Sequence, residues 1–246
     1  MIELKNHSEI EIMSEGGKRL KKILDSIIKK IKPGINSLEI DALAKKLILK
    51  SGGKPSFLNF KGYPAVICIS INSDIVHSIP QNRIIKEGDI VSIDLGLEYK
   101  GFHTDIATTV AIGKVDKLHQ KLISSTKKAL QNGIKKACEG NHISDIGHEI
   151  EKTITEAGFY PIRECTGHGI GRLLHEDPNV PNFGEIGRGE ILKAGMVIAI
   201  EPMASVDRTA VVTGSDGWLI ETANKSYAAH FESTVAITKK KAKILA

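Results

Sequence analysis

The chain has 246 residues, enough for one large domain or two small ones around a real core. Apolar residues make up 41%, and 23 glycines raise the non-polar share to about half, the ordinary globular value. No run approaches the ~18 uncharged apolar residues of a membrane-spanning helix, and the opening stretch MIELKNHSEIEIMSEGG has no h-region, which excludes a secretory signal. Cys68, Cys138 and Cys165 are far apart and odd in number. They point to a reducing cytoplasm, with neither a disulfide framework nor zinc-finger spacing.

Lysine and arginine (34) exceed aspartate and glutamate (29), a formal charge of +5. The excess gathers between Lys18 and Lys32 and in the tail Lys239-Lys240-Lys241-Ala242-Lys243. These read as solvated helix faces and a frayed terminus. The sharper alternative is a weak polyanion contact, such as a nucleic-acid-rich assembly. No zinc finger, RNP motif or aromatic-interleaved basic stripe supports base recognition.

Residues 8–31 predict a helix, with Ser8 and Glu11 as capping box and Ile10, Met13, Leu20, Ile23, Leu24, Ile27, Ile28 and Ile31 on one stripe. Pro33-Gly34 ends it. A second helix over 37–50 has Asn36 and Glu39 as cap signal and stops at Gly52-Gly53. Strands follow at 65–71, 89–97 and 102–112. A third helix covers 116–138 with Leu118, Leu122, Leu130, Ile134 and Cys138 inward. A fourth covers 144–157, capped by Ser144, with Ile146, Ile150 and Ile154 inward. Strands at 162–166, 196–203, 208–213, 217–222 and 228–238 complete the chain.

The order helix, helix, strands occurs twice. Lys86–Asp94 resembles Lys193–Glu201 at an offset of 107 residues. Gly34, Ser37 and Gly52 match Gly140, Ser144 and Gly158 at nearly the same offset. Thr109-Val110-Ala111-Ile112 recurs as Thr234-Val235-Ala236-Ile237. One domain (1–246) of two pseudo-symmetric halves, about 1–113 and 114–246, is the expectation. The repeat puts an acid in one slot twice, as Asp94 and as Glu201.

Strand interiors are poor places for acids, because a buried unpaired carboxylate costs several kcal/mol. Yet Asp94, Asp105, Glu201 and Glu232 each sit in or at the end of an apolar strand. A hairpin turning at Tyr99-Lys100 would set Asp94 directly opposite Asp105, with Cβ atoms about 5 Å apart; a bulge at Gly101 would shift the pairing by one. Two carboxylates that close repel unless they share a proton or hold a cation. No D-T-G or D-S-G signature supports a proton-sharing dyad, and two divalent cations would balance four ionised acids. Oxygen-rich sites suit Mn, Fe(II), Co or Mg, and one imidazole tilts the choice toward transition metals.

His168 lies in T-G-H-G-I-G, where three glycines let backbone approach and aim the ring. His175 follows in L-L-H-E-D-P, and His77 sits in a small loop after an apolar strand. His7, His119, His142 and His148 read as solvated. His103 and His230 each precede an acid by two residues and stay outside the ligand set.

Asp94, Asp105, His168, Glu201 and Glu232, in that order and with T-G-H-G-I-G, H-E-D-P, I-E-P-M and H-F-E-S-T, resemble the bacterial type I methionine aminopeptidases over nearly the whole chain. The resemblance implies an α+β pita-bread (creatinase/aminopeptidase) fold, two repeated helix-helix-strand units around a curved antiparallel sheet. It implies two divalent metals (Co, Mn, Fe(II), Zn or Ni) on those five side chains, with the matches of Asp105 and Glu232 bridging. It also implies hydrolytic removal of the initiator methionine from nascent polypeptides with a small second residue. Glu201 would take the proton from the attacking water, His175 would serve the oxyanion and His77 the scissile amide. The methionine pocket would be lined by Phe60, Tyr63, Cys68, His77, Leu174, His175 and Trp218; Phe60 stands where relatives often carry Tyr, and Leu174 where they often carry Phe. A cytoplasmic monomer follows, with a weak ribosome contact and no membrane association.

The alternatives are an X-Pro dipeptidase on the same fold and a metal-free binding protein on the same scaffold. The first proposed ligand at Asp94 leaves no room for the N-terminal domain of prolidases. The 30 residues between Glu201 and Glu232 leave none for the type II helical insertion.

Overall fold

The computed structural model describes residues 2–246. The first half carries α1 (His7–Ile28), α2 (Ser37–Lys50), β1 (Lys54–Pro55), β2 (Cys68–Ile71), β3 (Asp74–Val76), β4 (Ile90–Tyr99) and β5 (Phe102–Ala111). The second half carries α3 (Lys117–Lys136), α4 (Ile143–Glu156), β6 (Tyr160–Pro161), β7 (Thr166–Gly169), β8 (Glu176–Pro181), β9 (Val197–Ile200), β10 (Met203–Ser205), β11 (Val211–Thr213), β12 (Ile220–Thr222), β13 (Ala228–His230), β14 (Glu232–Ala236) and β15 (Lys243–Ile244). Among the described residues no helix is long and apolar enough to cross a membrane.

The central sheet runs β1-β4-β5-β14-β9-β7-β8, with β2 on β4 and β15 on β14. The β5–β14 pairing joins strands of the first half to strands of the second. Isolated bridges Asn36↔Ile84 and His142↔Ile191 tie the start of each second helix to the loop ahead of β4 or β9 at equivalent positions. Side chains alternate between faces. Val91, Ile93, Leu95, Leu97 and Ile106 pack under α1 and α2 with Leu20, Leu24, Ile27, Ile40 and Ile48. Ile198, Ile200 and Val235 pack under α3 and α4 with Leu122, Ala129, Ile146 and Ile150. The neighbours in sequence, Asp94, Asp105, Glu201 and Glu232, therefore emerge on the face opposite the helices.

The hairpin register differs from the expected one. Lys100 (φ 51°) and Gly101 (φ 82°) form the two-residue turn, because a tight hairpin turn needs two positive φ values and glycine takes one without strain. Tyr99 then pairs Phe102, Asp94 pairs Ala107 and Asp105 pairs Gly96. The shift is two residues, so both acids keep the same face and become diagonal neighbours.

Cap assignments move slightly. Asn6, not Ser8, caps α1: its side chain accepts the Glu9 N–H and the Glu9 carboxylate accepts the Asn6 N–H. Asn36 and Glu39 cap α2 as expected. Asp145 accepts the His142 N–H to open α4, while the Ser144 hydroxyl accepts the Arg188 N–H instead. Leu118 is 49% exposed, since it lies in the first turn of α3 before the helix meets the core. Of the four histidines read as solvated, three have partners: His119 stacks on Tyr227, and His142 and His148 bond the carbonyls of Gly189 and Gly184.

Several expected strands are trimmed or divided. The strand begun at 65 starts at Cys68, the one expected at 162–166 lies at Thr166–Gly169, and the long strands break at Glu201-Pro202 and Phe231. β8 was not expected; its two prolines are tolerated because it is an edge strand. The C-terminal tail is not frayed. Lys243 and Ile244 pair with Ala236 and Val235, and Leu245 is buried. The lysines around it hide a short strand whose one inward leucine completes a core cluster.

Candidate metal centre and substrate cavity

One cavity of about 1100 Å³ receives all twelve side chains singled out in the sequence: Asp94, Asp105, His168, Glu201 and Glu232, with His77, His175, Phe60, Tyr63, Cys68, Leu174 and Trp218 around them. Asp94 comes from the middle of β4, Asp105 from β5, His168 from β7, Glu201 from the end of β9 and Glu232 from the start of β14. Donor atoms of Asp105, His168 and Glu232 lie within 4.8 Å of one another, and all three residues are buried.

The electrostatics of this cluster call for positive charge. Burial pushes the Asp94 carboxyl well above the carboxylate range, reinforced by the charges of Asp105 and Glu201. Burial does the same to Glu232 and Glu201, each with Asp105 as the next cause. Asp105 rises to about 7 from burial, held back by bonds from the Ile106 N–H and from Asp94. Asp94 Oδ1 and Glu232 Oε1 are buried without a hydrogen-bond partner. Such orphaned acceptors are costly in a finished structure.

His168 supplies an independent indication. Its Nδ1 lies 2.8 Å from the Gly169 carbonyl, an acceptor only, so Nδ1 carries the proton and donates. Nε2 is then left with a lone pair, and it faces Glu201 Oε1 at 3.5 Å. Burial lowers His168 to about 4, so the ring is neutral near pH 7. A free imidazole lone pair facing Glu201, whose carboxyl burial keeps from ionising unless a cation offsets the charge, fits divalent cations beside the orphaned carboxylate oxygens, and a carbonyl-anchored neutral imidazole is the usual form of a ligating histidine. The glycines around it serve close approach: a side chain at Gly167 would strike the Ala199 carbonyl, and one at Gly169 the Asp177 carbonyl.

Above the acids the wall is apolar and aromatic. Tyr63 meets Trp218 edge-on at 5.1 Å, and its hydroxyl lies 3.1 Å from the Ile67 carbonyl and 3.2 Å from that of Ser78. Phe60 meets His175 at 5.0 Å, and His175 approaches His168 at 4.1 Å between ring centroids. Cys68 lies beside Asp94 in the β2–β4 ladder. His77 holds φ 58°, a left-handed conformation that turns its ring to the cavity rim. Burial raises the Cys165 thiol to about 12 and Cys68 well above its usual range, so neither is a thiolate nucleophile.

The sequence reading missed Phe57, Cys165, Met203 and Ile220, which also face the cavity. Met203 could have been found, because it stands two residues after Glu201 in I-E-P-M. Cys165 directly precedes T-G-H-G-I-G. Phe57 and Ile220 carry no local signal. His230 is buried with neither ring nitrogen hydrogen-bonded, and its Nε2 stands 3.7 Å from Glu201 Oε2.

Metallopeptidase family M24 matches residues 11–239. A methionine aminopeptidase of Clostridium perfringens is 46% identical over 237 residues, 96% of this chain and 95% of its own length. Methionine aminopeptidase 1 of Bacillus subtilis is 40% identical over 238 residues, 97% of this chain and 96% of its own. The crystal structure of methionine aminopeptidase from Thermotoga maritima superposes with a TM-score of 0.98 at 40% identity, covering 100% of this chain and 99% of that one. The prolidase of Pyrococcus furiosus gives 0.80 at 27% identity, and this chain spans only 64% of it. The chain has the pita-bread fold and belongs to metallopeptidase family M24, among its methionine aminopeptidases.

Proposed function

We propose that the protein removes the N-terminal methionine from newly made polypeptides by metal-dependent hydrolysis of the first peptide bond, preferring a small second residue. The observation that carries this reading is the convergence of four buried acids and one neutral imidazole at the base of a cavity with an apolar, aromatic wall. Asp94, Asp105, His168, Glu201 and Glu232 would hold two divalent ions, drawn from Co, Mn, Fe(II), Zn or Ni. When bound, such ions lower the pKa of water and polarise a carbonyl.

The chain's own residues do the rest. Glu201 accepts a proton from the attacking water. His175 donates a hydrogen bond to the oxygen that gains charge, and His77 one to the scissile amide region. Phe60, Tyr63, Cys68, Leu174 and Trp218 enclose the methionine side chain and exclude water. The two halves, 1–113 and 114–246, act as one catalytic unit, because each supplies acids to the same cluster. We place the protein in the cytoplasm as a monomer, with the lysine-rich face of α1 available for a weak ribosome contact.

The test is cleavage of Met-Ala-Ser against an Ala-Pro peptide with added Mn or Co and with EDTA. Release of methionine that EDTA abolishes is expected. Cleavage of Ala-Pro alone would assign an X-Pro dipeptidase, and no methionine release with any metal would reject the reading.

A further inference from the structure

The N-terminal segment ahead of α1 reaches the cavity. Its Lys5 is a buried lysine, with a side chain only 2% exposed, and it forms an ion pair with Glu176, itself 11% exposed. Lysine is rarely buried to this degree without a partner that the structure needs. The Lys5 N–H bonds the Gly195 carbonyl at 2.8 Å, which fixes the segment to the second half. The side chain then passes so close to Gly171 that a Cβ there would overlap Lys5 Cε. The last glycine of T-G-H-G-I-G is thus explained by Lys5 and not by the metal ligand.

Glu176 uses its two oxygens differently. Oε2 takes Lys5, and Oε1 accepts the Leu173 N–H at 3.0 Å. Glu176 also pairs Gly169 in the β7–β8 ladder, so it closes the loop 170–175 at its base and pins its tip. Leu173 at that tip is 65% exposed; its carbonyl accepts the Gly171 N–H at 3.0 Å within the loop, and only the Gly171 carbonyl, taking the His103 N–H at 2.7 Å, ties that turn to β5 by a backbone bond. The same loop carries Leu174, a wall of the proposed methionine pocket, and His175. Arg172 adds ion pairs to Glu9 at 2.6 Å and Glu3 at 3.5 Å and lies 4.7 Å over the Phe102 ring, but its own side chain is 54% exposed, so these contacts are screened and weaker than the buried pair.

We infer that Lys5 and Glu176 are positioning residues: their buried ion pair sets the 170–175 loop so that Leu174 and His175 meet the substrate. This rests on the proposed function above. The mechanism is one of preorganisation. A buried carboxylate that loses its cation reorients toward water, the Leu173 N–H loses its acceptor, and the loop samples other conformations. Misplacement of a substrate-facing group by about 1 Å costs up to roughly a hundredfold in rate.

The test compares parent, K5M, E176D and the double variant K5M/E176M, each loaded with Mn. E176D keeps the charge but is one methylene too short to reach both Lys5 and the Leu173 N–H. Expected for K5M and E176D are a rise in KM for Met-Ala-Ser of about tenfold or more and a fall in kcat. Amide exchange should quicken in 170–176 and stay unchanged in α3 and α4. In K5M/E176M the buried charges are gone together, so Tm returns toward the parent while the KM defect persists. A merely structural role would lower the folded fraction and leave KM unchanged. The inference is overturned if KM stays within about twofold of the parent, or if the double variant restores KM along with Tm. Should K5M not fold, E176D gives the same reading. If the parent itself releases no methionine, the function is wrong, and the exchange of 170–176 still decides whether the pair orders the loop.

Discussion

Thr109 and Thr234 make the same bond in opposite directions across the β5–β14 seam. The Thr234 hydroxyl accepts the Asp105 N–H and donates to the Asp105 carbonyl, both at 2.8 Å. The Thr109 hydroxyl accepts the His230 N–H at 2.9 Å and donates to the His230 carbonyl at 2.8 Å. Direct pairing of β5 with β14 covers only Ala107↔Glu232 and Ile106↔Ser233. Beyond those pairs each threonine bridges the gap that a ladder bond would fill. The symmetry makes His230 the counterpart of Asp105. One half uses that slot for a site acid and the other for a buried ring.

This relationship predicts a divergence between two matched substitutions. Thr234→Val and Thr109→Val each strand a buried N–H and C=O, so each should lower stability by about 1–3 kcal/mol in urea unfolding. Only Thr234→Val releases the backbone of Asp105, so only it should weaken metal binding in a calorimetric titration. Equal metal affinity in both variants would show that the clamp is structural alone.

Asp105→Asn tests the acid cluster directly. Asp105 shares its donor space with His168 and Glu232. Its replacement by a neutral amide removes one charge from the set proposed to hold two divalent ions. Metal content by elemental analysis and methionine release should fall together. A variant that keeps two tightly bound ions per chain would contradict the assigned role.

Much of this site could be read in the sequence, because each acid interrupts an apolar strand and its cost demands a compensating charge. Both halves present their acids on one sheet face, and the period of two preserves that even though the hairpin register differs by two residues from the expected one. The turn decided the register, and the sequence Tyr99-Lys100-Gly101 does not announce which pair occupies it. The tail at Lys243–Leu245 was hidden because one inward leucine among lysines makes no periodic pattern. Phe57 and Ile220 reach the cavity through tertiary folding, which leaves no local trace. Ser144 and Ser8 looked like caps, yet a neighbouring Asn6 and a distant Arg188 N–H competed for the same bonds.

His175→Ala should separate binding from turnover. The ring stands against Phe60 and His168 and belongs to the cavity wall, while the five proposed ligands lack nothing without it. Metal content should stay at the parent level, and kcat should fall by roughly a hundredfold, the effect of losing one oxyanion donor. An unchanged kcat would remove His175 from the reaction.

The pH dependence of metal-free protein follows from the buried groups, with opposite signs. Burial lowers His168 to about 4 and His230 to about 3. Between those values and about 6.5 the unfolded chain binds more protons at these rings, so their effect is to raise stability as pH rises. At about pH 6.5 an unfolded ring is still half protonated, so this slope fades over the next pH unit and is gone by about pH 7.5. The carboxyls act the other way. Asp105 is raised to about 7, and Asp94, Glu201 and Glu232 lie well above the normal range. Their stabilising protonation is complete below the unfolded carboxylate range and is lost as pH rises through the folded values. Between pH 6.5 and 8 four raised carboxyls outweigh the fading histidine slope, so Tm of EDTA-treated protein should fall, by about 2–4 °C for each kcal/mol lost. Bound divalent metal replaces those protons, so the metal-loaded protein should hold or gain Tm over the same interval. A metal-free Tm that rises from pH 6.5 to 8 in differential scanning calorimetry would mean that the four acids are ionised without a cation.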